Sequence, residues 1–148
     1  MSVPKSKRGQ GHLLVFTKLR QLCDYTQTLV NNKKYFPVDD FVIENGKKKP
    51  NNVKPDLAKD IYRETRAIEN YAARANKVFV KTQEDFNLRR EFWSKAVAET
   101  SALLKDMEKA MVLCDIPSKV MNFWTGQVKA IQDLLMNRRN TEHKTYMG

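Results

Sequence analysis

Residues 56–81 read DLAKDIYRETRAIENYAARANKVFVK, and the spacing inside this stretch decides the fold. At about 100° per residue, Leu57, Ile61, Ile68, Ala72, Ala75 and Phe79 gather roughly 30° round from Leu57, while Lys59, Arg63, Arg66, Arg74, Lys77 and Lys81 gather roughly 220° round. Two rows so nearly opposite describe a helix with one side buried in a core and the other facing water as a positive strip, about 39 Å long if the whole stretch is helical. Asp56, directly after Pro55, is placed to cap this helix, which is expected to run to about Thr82.

The same period recurs on both sides. A first helix is expected over residues 12–32, where Val15, Phe16, Leu19, Leu22, Cys23, Thr26, Leu29 and Val30 form an i, i+3, i+4, i+7 stripe that ends before Tyr35-Phe36-Pro37. Residues 86–113 repeat the pattern with Trp93, Ala96, Val97, Thr100, Leu103, Leu104, Met107 and Met111. Their far side mixes Lys95, Lys105 and Lys109 with Glu91, Glu99 and Asp106. A short turn at Cys114-Asp115-Ile116-Pro117 favours an antiparallel neighbour, which Ser118 is placed to cap. That fourth helix carries Met121, Trp124, Val128, Ile131 and Leu135 and ends at Arg138-Arg139. No segment alternates like a strand. The expected architecture is all-α, an antiparallel up-down-up-down four-helix bundle over residues 12–140, with a flexible basic leader at 1–11 and a polar tail at 141–148. The connection at 38–55 holds Gly46, Pro50, Pro55, Asn51-Asn52 and Lys47-Lys48-Lys49. It shows no period and, at about 18 residues, exceeds what neighbouring helices need, so it is expected to be irregular and mobile.

With 148 residues and 17.2 kDa the chain suits one domain and needs no covalent staple. Cys23 and Cys114 lie far apart with no metal-ligand spacing around either, which reads as two reduced core thiols in a cytoplasmic protein. No stretch approaches the roughly 18 uncharged apolar residues of a membrane span. The formal net charge of +10 and the sequence pI near 9.7 exceed what solubility asks of a small domain and imply an anionic partner. Nucleic acid, an acidic protein or an anionic membrane would each supply it. The membrane is disfavoured, because the apolar faces are committed to one another.

Catalysis finds little support in these residues. His12 and His143 stand at opposite ends and neither belongs to a Glu-x-x-His pair, so no metal site is expected. The five glycines are scattered, no phosphate-cradling loop forms, and no Ser or Cys has a histidine with a reason to approach it. Glu64 falls about 340° round from Leu57, near the apolar face, and reads as a core-edge carboxylate paired with a base. Trp93 and Trp124 lie on core seams, whereas Phe92 and Phe123 flank them and suit a subunit contact. The chain is therefore expected to be no enzyme and to need no cofactor.

The order of elements, the Phe36-Pro37 stop, the pattern from Phe92 through Leu103-Leu104, and the run Ser118-Lys119-Val120-Met121-Asn122-Phe123-Trp124 carry a resemblance. Over residues 12–139 the chain resembles the bacterial four-helix-bundle family that includes the protein encoded by ribosomal RNA intervening sequences and the accessory variability determinant (Avd) of diversity-generating retroelements. It departs from that family in its long, lysine-bearing connection and its basic leader. The resemblance implies a homopentameric barrel of bundles with a positive surface, partnering a reverse transcriptase and its template RNA, or an RNA/DNA hybrid, during mutagenic cDNA synthesis. It places phosphate contacts at Arg63, Arg66, Arg74 and Lys77, and at Lys105 and Lys109. With the rest of the basic row, Lys59 and Lys81, and with Arg138 and Arg139, these make up the expected nucleic-acid-binding set. The alternative is an oligomeric scaffold, or a ribosome- or rRNA-associated bundle, with no reverse transcriptase partner.

Overall fold

A computed structural model describes residues 5–147, with side chains over residues 14–145. Four helices, α1 (Lys5–Val30), α2 (Val53–Lys77), α3 (Gln83–Leu113) and α4 (Ser118–Met147), form an all-α bundle, and a short hairpin of β1 (Phe41–Glu44) and β2 (Lys47–Pro50) stands between α1 and α2. Each helix packs on its neighbours in sequence, and α1 closes the ring on α4.

Three cross-helix contacts set the directions. Trp124, early in α4, donates its indole N–H to Thr26 Oγ1, late in α1, at 3.0 Å. Trp93, early in α3, donates to Glu142 Oε2, late in α4, at 2.9 Å. Arg89, also early in α3, reaches the Ala75 carbonyl at the end of α2 at 3.0 Å. Neighbouring helices thus run antiparallel, as the short connections require.

The core follows the apolar rows. Leu19, Leu22, Ile61, Ile68, Trp93, Leu103, Met107, Met121, Trp124, Val128, Ile131 and Leu135 are its largest fully buried side chains. Both indoles are core, and their polar edges find buried partners, which is the usual condition for burying tryptophan. Cys23 and Cys114 are free and buried. Met111 departs from the expected seam: it is exposed, with Val112 and Leu113, although Ala110 and Cys114 on either side are buried.

Element ends differ from the sequence expectations, each for a local reason. α2 starts at Val53 with Asn52 as its N-cap, so Pro55 and Asp56 both lie in its first turn, where a missing N–H costs nothing and a carboxylate meets the positive end of the helix dipole. α2 stops at Lys77. Thr82 and Asp85 then build a reciprocal capping box that starts α3, and Asp85 Oδ2 also accepts from the Lys81 N–H at 3.0 Å. The carboxyl of Asp85 is held below its ordinary value by these backbone donors. Phe79 therefore falls in the connection and is 76% exposed instead of buried. Ser118 is the first residue of α4 and not its cap; the Pro117 carbonyl accepts the first helical bond, from Met121.

The expected tail is helix as far as Met147, because Glu142 is pulled into the bundle by Arg89 and Trp93. Residues 5–11 of the expected leader are likewise helical, as the start of α1. Residues 1–4 and 148 lie outside the described residues. The largest correction is the connection at 38–55, which is ordered over 41–50. Asn45 and Gly46 take φ of 54° and 76°, the left-handed pair of a two-residue hairpin turn, and β1 pairs antiparallel with β2 through Phe41↔Pro50, Val42↔Lys49, Ile43↔Lys48 and Glu44↔Lys47.

Candidate nucleic-acid interface

Because the apolar row of α2 is consumed by the core, its opposite row has only solvent to face. Lys59, Arg63, Arg66, Arg74 and Lys77 are all exposed on α2. Lys81 is exposed too, but it lies past the helix end, with its ammonium 5.6 Å from the Phe79 ring centre. Among the described residues, Lys59, Arg66, Arg74 and Lys77 stand in no ion pair, whereas Arg63 is bound to Asp60 at 3.1 Å one turn away. An exposed pair at that spacing contributes only a few tenths of a kcal/mol and gives way readily to a phosphate.

Toward its C-terminal half the strip widens onto α3. The Arg74 guanidinium and the Lys95 ammonium each lie 5.9 Å from the Tyr71 ring centre, so a half-buried aromatic sits among cations of two helices, of which Lys95 is also paired with Glu91 at 3.2 Å. The helical period puts Lys95 on the mixed outer face of α3 and marks Tyr71 with no role. On the helical wheel Tyr71 falls between the two rows, and its position beside α3 is what gathers these groups.

The α3 lysines fare differently. Lys105 and Lys109 are exposed, and Lys109 is tied to Asp106 at 3.4 Å. Asp106 in turn bonds Glu64, which is only 5% exposed and whose Oε2 has no partner. Glu64 is therefore paired with an acid, contrary to the expected base. Burial, the Asp106 bond and the nearby charges of Asp106, Glu99 and Asp60 push its carboxyl up to about 8. A carboxyl that keeps its proton can donate to a carboxylate, which is how two acids share a buried site. Asp60, Glu99 and Asp106 thus gather acidic charge around Glu64, and Lys109 is engaged by that group.

Arg138 and Arg139 leave the interface. Both are half-buried; Arg138 Nε lies 3.6 Å from Glu142, and Arg139 donates to Ser94 Oγ at 3.3 Å. The sequence had grouped them with the phosphate contacts because a terminal basic pair resembles a solvated helix end. α4 continues instead, turning Arg138 to Glu142 one turn on and Arg139 to Ser94 of α3.

The node beneath them is a residue set that sequence reasoning missed. Arg89 places Nε and Nη2 on the Glu142 carboxylate, at distances down to 2.6 Å, and donates Nη1 to the carbonyls of Ala75, Asn76 and Val78. One guanidinium thus neutralises a buried acid and caps the end of α2. No sequence signal marks this set, since its members come from three helices.

At the other end of α2, Lys59 edges a pocket of about 390 Å³ lined by Val30, Phe36, Pro37, Val38 and Tyr62 among others. Cys23 donates its thiol to the Thr65 carbonyl at 3.9 Å, and burial, then Glu69, pushes that thiol up to about 12, which leaves it unreactive. Among the described residues no group of three or more His, Cys, Asp or Glu side chains is arranged to hold a metal ion, and no helix is long and apolar enough to cross a membrane. No known protein family, curated protein or solved structure matches this chain.

Proposed function

We propose that this chain is a non-enzymatic nucleic-acid-binding accessory protein that holds template RNA, or an RNA/DNA hybrid, beside the reverse transcriptase of a diversity-generating retroelement. The observation that carries the binding half is the row Lys59, Arg66, Arg74 and Lys77, exposed on one face of α2 with no ion pair among the described residues. Four cations at helical spacing follow a polyphosphate backbone, and the formal net charge of +10 adds long-range attraction. These groups contact phosphates and read no base. The reverse transcriptase half rests on the resemblance of residues 12–139, and so does the pentamer.

Replacing Arg63, Arg66, Arg74 and Lys77 together by Glu tests the binding half. Helical content is expected to stay intact by circular dichroism, because all four side chains point outward, while RNA retention at physiological salt is abolished. Retention by that variant reduces the strip to solvated surface. Co-purification with the reverse transcriptase encoded at the same locus, beside a pair of near-identical repeats, tests the other half; an origin inside a ribosomal RNA gene favours the intervening-sequence relative.

One observation favours a scaffold as the second reading. Met111, Val112 and Leu113 are exposed together at the end of α3, and a groove of about 420 Å³ runs over Lys105, Glu108, Lys109, Val112 and Leu113. Self-association through that end, with no nucleic acid in the purified protein, is what the scaffold reading requires. Absorbance near 260 nm in the purified material separates the two.

A further inference from the structure

Every residue of the hairpin is exposed, and Ile43 is 82% exposed. A lone two-stranded ribbon is marginal in water, yet this one is held at both ends. The tip is fixed by the left-handed Asn45–Gly46 pair. At the base, the Asp40 carbonyl accepts from the Asn51 N–H at 2.8 Å, Asp40 Oδ1 accepts from the Phe41 N–H at 3.0 Å, and Asn51 Oδ1 accepts from the Val53 N–H at 3.2 Å, which ties the ribbon to the first residue of α2.

Strand alternation then sorts the side chains. Phe41, Ile43, Lys48 and Pro50 share one face; Val42, Glu44, Lys47 and Lys49 share the other. On the first, the Lys48 ammonium lies 3.9 Å over the Phe41 ring. On the second, Lys49 reaches Glu44 at 3.5 Å, an exposed pair that competes weakly with a phosphate. Three lysines outweigh one glutamate, so the ribbon is positive, and it stands at the end of α2 from which the basic row departs at Lys59. The hairpin and the first cation of the row thus belong to the same end of α2.

We propose that Phe41 forms a stacking platform for an unpaired base of a single-stranded nucleic acid, with Lys48, on the same face of the ribbon, meeting the adjoining phosphate; this rests on the nucleic-acid reading above and names the strand class. A duplex offers no such base, because its π-faces are covered by their neighbours and exposing one costs a few kcal/mol. A single strand offers one at each nucleotide, and stacking on an aromatic tolerates any sequence. The ring face that Lys48 leaves uncovered is the one a base meets.

The test measures anisotropy of a labelled oligothymidylate and of a labelled duplex of equal length with the full chain. Phe41→Ala is expected to weaken single-strand binding roughly 5- to 150-fold, Phe41→Tyr to restore it, and duplex binding to change less than about twofold. Lys48→Ala is expected to flatten the salt dependence of log K by about 0.7. Unchanged circular dichroism confirms that the bundle is intact in each variant. Native-like binding of the oligothymidylate by Phe41→Ala overturns the platform and leaves the α2 row standing. An equal loss on duplex, or a loss seen only with vesicles of anionic lipid, also overturns it. Should the native chain bind neither oligonucleotide, the α2 reading fails first and the platform with it.

Discussion

Glu64 shows how a single side chain can work against the fold that holds it. Its Oε2 is buried without a partner, and its other contact is a second acid, Asp106. An acid raised from 4.5 to about 8 takes up a proton on folding, so its cost is absent below the ordinary value, grows as pH climbs between those limits, and is fully present above about 8. The facing charges are Asp60 on α2 and Glu99, Asp106 and Lys109 on α3, and Lys109 is already engaged with Asp106. Glu64→Gln keeps a donor for Asp106 and removes the titration. Denaturant melts are expected to show the native protein losing stability from pH 5 to 8 while the variant stays flat, ending about 1–3 kcal/mol more stable at pH 8. A variant as pH-sensitive as the native chain places the titration elsewhere. Arg89 is the opposite case. Arg89→Met leaves Glu142 charged and buried with the α2 carbonyls uncapped, and is expected to cost about 3–5 kcal/mol by chemical denaturation. Loss of less than about 1 kcal/mol refutes that role.

Among the elements, the hairpin and α2 divide the labour of the surface. α2 owes its existence to the core, since Leu57, Ile61, Ile68, Ala72 and Ala75 are buried along its length, and its basic row is what remains. The hairpin has no core to lean on and depends on its turn. Gly46→Ala puts a Cβ on a residue with φ of 76° where no atom lies within 4 Å, so the penalty is backbone strain alone, about 1 kcal/mol. Amide exchange over residues 41–50 is expected to accelerate while global unfolding barely moves; a matching drop in the bundle's melting temperature contradicts that independence. The hairpin was legible in advance: Asn45-Gly46 after Phe41-Val42-Ile43 is a strong turn signal, obscured by the lysines that follow. The ends of α2 and α4 were less so. Val78, Phe79 and Val80 continue an apolar period, but Arg89 takes the last α2 carbonyls and the Thr82 box restarts the chain.

For the whole molecule, charge is the property that sums. If Lys59, Arg66, Arg74 and Lys77 each displace counterions from a single strand, those four alone should contribute about −3 to the slope of log K against log salt, and Arg63 and the hairpin lysine Lys48 add to it. A slope near zero removes the phosphate-contact mechanism however tight the binding is. The slope counts only cations that are free to move onto phosphates, so Arg138, Arg139 and Lys109, already engaged within the bundle, are not expected to add to it.

The 3.6-residue period by itself determined that this chain is four amphipathic helices with Trp93 and Trp124 inside and a basic row outside, because burying apolar surface is the dominant favourable term in folding and the rows state which surface is buried. Which cations stay available was decided only in three dimensions. Arg63, Lys95 and Lys109 meet acids within a turn, Arg138 turns to Glu142 of its own helix, Arg139 reaches Ser94 on α3, and Lys95 also joins Arg74 around Tyr71. Availability is a matter of distances of a few ångströms between helices, and a one-dimensional period carries no information about which residues of separate helices stand at the same level.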